Sequence, residues 1–339
     1  MCGICGIFSK NNEIDPVLLK KMCRAMINRG PDDEGYYIDS KIGLGMRRLS
    51  IIDVEGGHQP IHNENESIWV VFNGEIYNFK NLKSILEKKG HRFYTNSDTE
   101  VLVHLYEEYG EKMVDYLNGM FAFAIWDSSK KILLLARDRL GIKPLYYYHD
   151  GETLIFGSEI KSIIQNTVIK REINFKALHH YLGHEYVPSP MSIFKNINKL
   201  EAGHLLIAKK ENVKRKKYWD VEYQPIPRAE DFFIKRIIRL IQKSVERRMI
   251  SDVPLGAFLS GGLDSSFIVA MMSQISDEPV KTFSIGFDDK SYNELYYARI
   301  IADKFSTDHY EKIVEPCLLY TSDAADEGLG VDLGGRRII

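Results

Sequence analysis

The chain opens Met1-Cys2-Gly3-Ile4-Cys5-Gly6-Ile7-Phe8, and removal of Met1 would leave Cys2 carrying a free α-amine. Thiol and base would then share one residue, because an α-amine titrates near pH ~8 and can take a thiol proton close to neutrality. A buried strand that happens to carry cysteines, with Ile4, Ile7 and Phe8 in the core, fits the same residues. Arg48 stands in the run Arg47-Arg48-Leu49-Ser50-Ile51-Ile52-Asp53. Its planar fork matches a carboxylate bidentately, although a surface ion pair accounts for a single arginine as well. The apolar run 68–72 enters Asn73-Gly74-Glu75. There a side-chain amide and a backbone N–H could converge on an oxyanion; a plain Asn-Gly hairpin turn is the simpler alternative. Asp98, in Thr95-Asn96-Ser97-Asp98-Thr99-Glu100, is either an N-cap, as Ser97 could be, or an anchor for an ammonium group.

A second chemical stretch lies late in the chain. Ser260-Gly261-Gly262-Leu263-Asp264-Ser265-Ser266 falls between a strand at 253–259 and a helix at 267–274. Backbone N–H groups and a helix dipole make such a loop an anion site. No lysine follows the glycines, so it is not a Walker A sequence.

The elements that must hold these residues follow from periodicity. A helix is expected at 16–28, with Leu18, Leu19, Met22 and Met26 on one face, and strands at 35–38 and 42–46. Helices are expected at 79–89 and from about 98 to 109, and strands at 119–127, 131–137 and 153–157. Many short strands with two or three helices describe a layered α+β domain. Pro188, Pro190, Pro225 and Pro227 break the pattern around further strands at 204–208 and 218–219. The basic run 209–217 lacks aromatic interleaving and reads as a solvated hairpin rather than a nucleic-acid patch. Beyond a boundary near Pro227, a helix at 230–249 places Ile234, Ile237, Ile238, Ile241 and Val245 on one side. Strands at 281–287 and 308–314 with a helix at 293–305 complete a βαβαβ unit.

Composition narrows the classes. At 339 residues two domains are expected, and 44% hydrophobic with 27% charged residues is ordinary for a globular chain. A net charge of −2 gives no pull toward nucleic acid or an anionic membrane. Four cysteines are too few for a disulfide framework and favour a reducing compartment. The Cys2/Cys5 pair has no second pair to complete a four-ligand zinc site. No run approaches ~18 apolar residues, so no membrane span and a cytoplasmic location are expected.

The stretches MCGICGIF, NRGPDD, RRLSIID, FNGEIYN, NSDTE, GMFAFAIWD, RDRLGIKPLYY and GSEIK stand in the order found in class II glutamine amidotransferases. The chain most resembles the glutamine-hydrolysing asparagine synthetase family, over nearly all of residues 1–316. Asn28 is a departure, since the family more often has histidine before Arg-Gly-Pro-Asp. The resemblance implies an α+β N-terminal-nucleophile (αββα) glutaminase domain at 1–200 and a connecting segment at 201–229. The start of an α/β ATP-pyrophosphatase domain, doubly wound and parallel, would follow at 230–316. By resemblance, Cys2 attacks the glutamine amide while Asn73 and Gly74 hold the oxyanion. Arg48, with Leu49, Ser50, Ile51 and Ile52 beside it, binds the substrate carboxylate, and Glu75 with Asp98 binds the amino end.

For the second domain the resemblance implies an ATP site of Leu259, Ser260, Gly261, Gly262, Asp264, Ser265, Ser266 and Ile285, with Mg²⁺ at Asp264. Ammonia from glutamine would then travel through the interior to attack an aspartyl-AMP made from aspartate and ATP, in a chain that is a homodimer at full length. A related amidotransferase with a sugar or peptide-carboxyl acceptor fits the same residues. A phosphosugar or purine-type amidotransferase does not account for SGGLDSS, and a non-catalytic scaffold does not account for Cys2, Arg48, Asn73 and Asp98 together. The family's second, acidic glycine-rich motif is missing here. The last stretch, 317–339, instead resembles a translated sequencing-library adapter, so native sequence is expected to end near Pro316.

Overall fold

In strand β1 (Gly3–Ser9), Ile4 and Phe8 turn into one apolar cluster and Cys5 and Ile7 into another. Side chains alternate along a strand, so β1 has to be covered on both faces. The computed structural model, which describes residues 2–210, 212–289 and 293–314, shows how. The described residues divide into two units that meet between Pro225 and Ile226.

The first unit runs β1, α1 (Pro16–Arg24), β2 (Asp33–Ile38), β3 (Ile42–Arg48), β4 (Ile61–His62) and β5 (Ile68–Ile76). It continues with α2 (Phe79–Lys88), α3 (Val101–Tyr109), β6 (Gly119–Asp127), β7 (Ile132–Arg137), β8 (Tyr146–His149) and β9 (Thr153–Gly157). Then come α4 (Ile160–Ile163), α5 (Phe175–His184), β10 (Ile197–Lys199), β11 (His204–Ala208) and β12 (Val213–Lys217). Two antiparallel sheets result, ordered β10-β8-β9-β1-β3-β2 and β12-β11-β7-β6-β5-β4. Between them pack Ile4, Phe8, Leu44 and Met46 from one side and Val71, Ala124, Trp126 and Leu135 from the other. On the outer face of the first sheet, Leu19 and Met22 of α1 and Ile163 of α4 meet Cys5, Ile7 and Ile155. The glycines of β3 admit α1 so closely that a Cβ on Gly45 would lie 2.5 Å from Cys23 Sγ. Helices α2 and α3 pack together, and α3 covers β5. The layers are helix, sheet, sheet, helix, the arrangement expected of an N-terminal-nucleophile fold.

Several boundaries differ from expectation. The helix expected to run to residue 28 stops at Arg24 and gives way to turns. The strand expected at 68–72 continues through Ile76, so Asn73-Gly74 is not a hairpin turn: Asn73 pairs with Ala122 and Gly74 with Phe121. Residues 218–219 are not a strand; the Tyr218 hydroxyl donates to the Arg137 carbonyl at 2.8 Å. The partner of β11 is β12, drawn from the basic run itself, and its Lys214, Arg215, Lys216 and Lys217 are exposed, as a solvated hairpin requires. The segment expected as a connector over 201–229 therefore supplies two strands of the second sheet. Elements β8, β10, α4 and α5 are additions to the expected set.

The second unit contains α6 (Glu230–Arg248), β13 (Gly256–Phe258), α7 (Leu263–Ile275), β14 (Lys281–Phe287), α8 (Leu295–Lys304) and β15 (Asp308–Val314). Its three strands are parallel in the order β13-β14-β15, with Phe258 opposite Phe283 and Ile285 opposite Lys312. Gly262 caps α7 in an extended conformation, so the helix starts at Leu263 and not at 267 as expected. On α6, Val245 is buried, whereas Ile234, Ile237 and Ile238 of the same apolar side stay about half exposed. The expected non-native tail at 317–339 lies outside the described residues.

Candidate active site

Alternation brings the first set of candidates to one place. Cys2 packs on the cluster that holds Ile4, two residues on. Arg48 follows Met46 by two, and Asn73 and Glu75 follow Val71 by two and four; Met46 and Val71 both face the space between the sheets. The register that pairs Gly3 with Arg47 sets Cys2 beside Arg48.

The Cys2 thiol is held by one residue of the loop after β3. Its Sγ donates to the Leu49 carbonyl at 3.6 Å and accepts from the Leu49 N–H at 3.4 Å. Burial pushes this thiol's pKa up, and the nearby Asp98 charge adds to that; the Leu49 contact and the Arg48 charge pull the other way. The Cys2 carbonyl accepts from Arg29 Nε at 2.8 Å, and Arg29 Nη1 reaches Glu159 at 3.3 Å. Lys143 is 5% exposed; burial depresses its pKa, opposed by the charges of Glu75 and Cys2.

Asn73 is 1% exposed, and neither its Nδ2 nor its Oδ1 has a hydrogen-bond partner among the described residues. Buried amides are nearly always paired, so a doubly unpaired one has its hydrogen-bonding capacity open to water or a ligand. The next residue has to be glycine, because a Cβ on Gly74 would sit 2.1 Å from the Met120 carbonyl oxygen.

Asp98 is not an N-cap. Its Oδ2 accepts from Ile76 N–H at 2.8 Å, tying the loop before α3 to the end of β5. Ser97 Oγ accepts from Thr99 N–H, and the cap position of α3 belongs to Glu100. Burial lifts the Asp98 carboxyl to about 7; the Ile76 bond draws it down and Glu75 pushes it up.

Arg48 differs from the open clamp expected. Its Nη2 donates to the carbonyls of Ile52 and Asp53 at 2.9 and 2.7 Å, and its Nη1 to that of Val54 at 3.2 Å. Three of the five guanidinium hydrogens thus hold the loop, leaving Nε–H and one Nη1–H. Ser50 N–H donates to Asp32, and Ile51 and Ile52 are half-buried. A cavity of about 500 Å³ opens beside Arg48, walled by Asp32, Asp33, Ser50, Glu55 and His58. Cys2, Asn73 and Asp98 are not in its wall.

The second set of candidates belongs to the other unit. A cavity of about 270 Å³ is lined by Leu259, Ser260, Ser265 and Ile285, together with Phe258 and Ala298. Ser260 and Ser265 hydroxyls lie 3.1 Å apart, and Gly262 N–H donates to Ser260 Oγ. Gly261 has φ +80°, and a Cβ there would meet the Tyr297 backbone at 2.5 Å. Gly261, Gly262, Asp264 and Ser266 are outside the cavity wall; Asp264 and Ser266 fall in the first turn of α7. Ser266 Oγ is buried with no partner among the described residues.

Sequence reasoning gave no role to Arg29, Lys143 or Glu159, though all three lie within the stretches NRGPDD, RDRLGIKPLYY and GSEIK. Only their place beside Cys2 singles them out.

A family model described as "Glutamine amidotransferase domain" matches residues 1–219, and one described as "Asparagine synthase" matches 236–322, six residues past the expected native end. The chain is 40% identical to asparagine synthetase [glutamine-hydrolyzing] 1 of Bacillus subtilis, over 93% of this chain and 50% of the relative. It is 43% identical to putative asparagine synthetase [glutamine-hydrolyzing] 2 of Methanocaldococcus jannaschii, over 91% of this chain and 64% of that one. Amidase chry2 of Gibberella zeae is 32% identical over 94% of this chain and 52% of its own length. The chain thus spans about half to two thirds of the length of these relatives.

Proposed function

The chain belongs to the glutamine-hydrolysing asparagine synthetase family, a class II glutamine amidotransferase domain followed by part of an asparagine synthase domain, and from this premise we propose that Cys2 hydrolyses glutamine to supply ammonia. With Met1 removed, the α-amine of Cys2 takes the thiol proton and Sγ attacks the side-chain amide carbon. The Asn73 amide and the Gly74 N–H hold the oxyanion. The amine returns the proton to the leaving nitrogen, which departs as ammonia. Water then cleaves the thioester to give glutamate and restore the thiol. Asp98 and Glu75 bind the substrate ammonium, and the remaining Arg48 donors bind its carboxylate through the loop 49–52. The observation that carries this reading is the buried Asn73 amide, unpartnered among the described residues, on the side of β5 that faces the same inter-sheet space as Cys2.

The ammonia is used in ATP-dependent amidation of aspartate through aspartyl-AMP. The Ser260–Ser266 loop receives the ATP phosphates at the start of α7, where Ser266 Oγ has no partner among the described residues. One carboxylate plus phosphate oxygens is a usual magnesium environment; Asp264 is that carboxylate, and the ion would offset phosphate charge. The similarity to a protein named as an amidase favours, as a second reading, the same glutaminase serving another acceptor.

The test is glutamate release with intact mass, comparing the chain with Cys2→Ala. Release from Met1-free protein, abolished by the substitution, is expected. Undiminished release in Cys2→Ala would overturn the assignment of the nucleophile.

A further inference from the structure

Away from the amidase centre, Glu64, His91, His104 and Glu107 each direct one potential ligand atom to a common point, all four within 4.8 Å of one another. They come from the turn before β5, the loop after α2 and the middle of α3. We propose that these four residues form a structural site for a divalent transition-metal ion of the zinc class.

The distances leave room for an ion between the four side chains. His91 Nδ1 lies 3.6 Å from both Glu64 Oε1 and Glu107 Oε2; His104 Nδ1 lies 3.5 Å from Glu64 Oε2 and 3.3 Å from Glu107 Oε2. Of these only His104 Nδ1···Glu107 Oε2 makes a hydrogen bond, and a long one. The edge of a tetrahedron drawn by nitrogen and oxygen ligands at ~2.0–2.2 Å from zinc is about 3.4 Å, so the four ligand atoms, which lie within 4.8 Å of one another, would draw together on binding. The imidazole rings stand 4.8 Å apart.

The surroundings are those of a ligated site. Each histidine turns Nδ1 to the centre; Nε2 of His91 hydrogen-bonds Glu108 at 3.3 Å, and Nε2 of His104 lies 3.5 Å from Glu100 with no hydrogen-bond partner among the described residues. A carboxylate hydrogen-bonded behind a ligating imidazole fixes its tautomer, as Glu108 would for His91. The carboxylates are steadied too, since Asn63 Nδ2 donates to Glu107 at 2.9 Å and Arg92 N–H to Glu64 at 2.8 Å. His104 is fully buried, which protects the site from exchange. Two imidazoles with two carboxylates suit zinc better than the all-oxygen sets of magnesium or calcium.

The experiment is calorimetric titration of chelator-stripped full chain with Zn²⁺, alongside thermal melts and the visible spectrum with Co²⁺. One equivalent should bind, raise Tm and give a tetrahedral cobalt spectrum. Affinity should fall tenfold or more in His91→Ala, and also in Glu64→Gln, which keeps shape and the Arg92 contact if the alanine variant folds poorly. Binding should persist in Cys2→Ala. No saturable binding, equal affinity in both site variants, or loss in Cys2→Ala alone would overturn the proposal.

Discussion

The Arg29 guanidinium, from the turn after α1, donates its Nε hydrogen to the backbone carbonyl of Cys2 at 2.8 Å while its Nη1 leans on Glu159. A side chain from one segment therefore fixes the peptide plane that carries the nucleophile. Arg29→Lys keeps the charge and loses the planar fork. We expect a kcat for glutamine hydrolysis at least tenfold lower with little change in KM, read by glutamate release. A change in KM alone would show that Arg29 acts on substrate and not on Cys2.

Asn73→Ala should cost activity and not stability. Its amide has no partner among the described residues to lose, so urea midpoints should stay level or rise. Loss of one oxyanion donor typically lowers kcat by ~10²–10³. Parallel unfolding and glutaminase curves separate the two effects.

The role proposed for Asp98, whose carboxyl is lifted to about 7, predicts pH-dependent glutamine use. The carboxylate that attracts the substrate ammonium is lost as pH falls through 7, so kcat/KM should fall on that limb, and Asp98→Asn should be low and flat there. Stability runs oppositely. A carboxyl raised from its unfolded value of 3.8 contributes stability fully below that value, and the contribution disappears as pH rises through 7. Asp98→Asn should therefore melt higher than the parent at pH 8 and lose that advantage toward pH 4.

Gly261→Ala tests the second unit. Its φ of +80° and the 2.5 Å approach to Tyr297 leave no room for a methyl group. A loss of more than ~1 kcal/mol is expected, with weakened nucleotide binding seen by equilibrium dialysis. Unchanged melting would mean that the loop repacks.

Much of this was legible in the sequence. The strands β1, β3, β5, β6 and β7 are apolar runs long enough to announce themselves, and the parallel β13-β14-β15 unit follows from strand-loop-helix alternation. Strand β8, Tyr-Tyr-Tyr-His, has no alternation to read. Strand β12 hides in a basic run because an exposed edge strand needs no apolar residues. Cys2, Asn73 and Asp98 could be named because amines, amides and carboxylates have definite chemistry. Arg29 and Lys143 could not, since their importance lies in contacts across the fold. Arg48 was legible in position but not in state: the carbonyls that occupy its fork come from a loop whose path no local pattern dictates. Glu64, His91, His104 and Glu107 have no motif spacing, and only folding brings them together.

Strand β5 bonds to β6 along its full length, from Ile68 opposite Asp127 to Ile76 opposite Gly119. Its odd-numbered residues Val71, Asn73 and Glu75 share one face, and Phe72 and Ile76 share the other. The catalytic content of the strand is thus a matter of parity. A single-residue deletion before Asn73 would leave composition almost untouched while sending the amide into the helical layer and phenylalanine into the reaction chamber. A two-residue deletion would preserve parity and displace the amide by one pleat. Side chains along this strand can be varied one at a time, whereas a change of its length by one residue reverses which of them face Cys2 unless a bulge absorbs it.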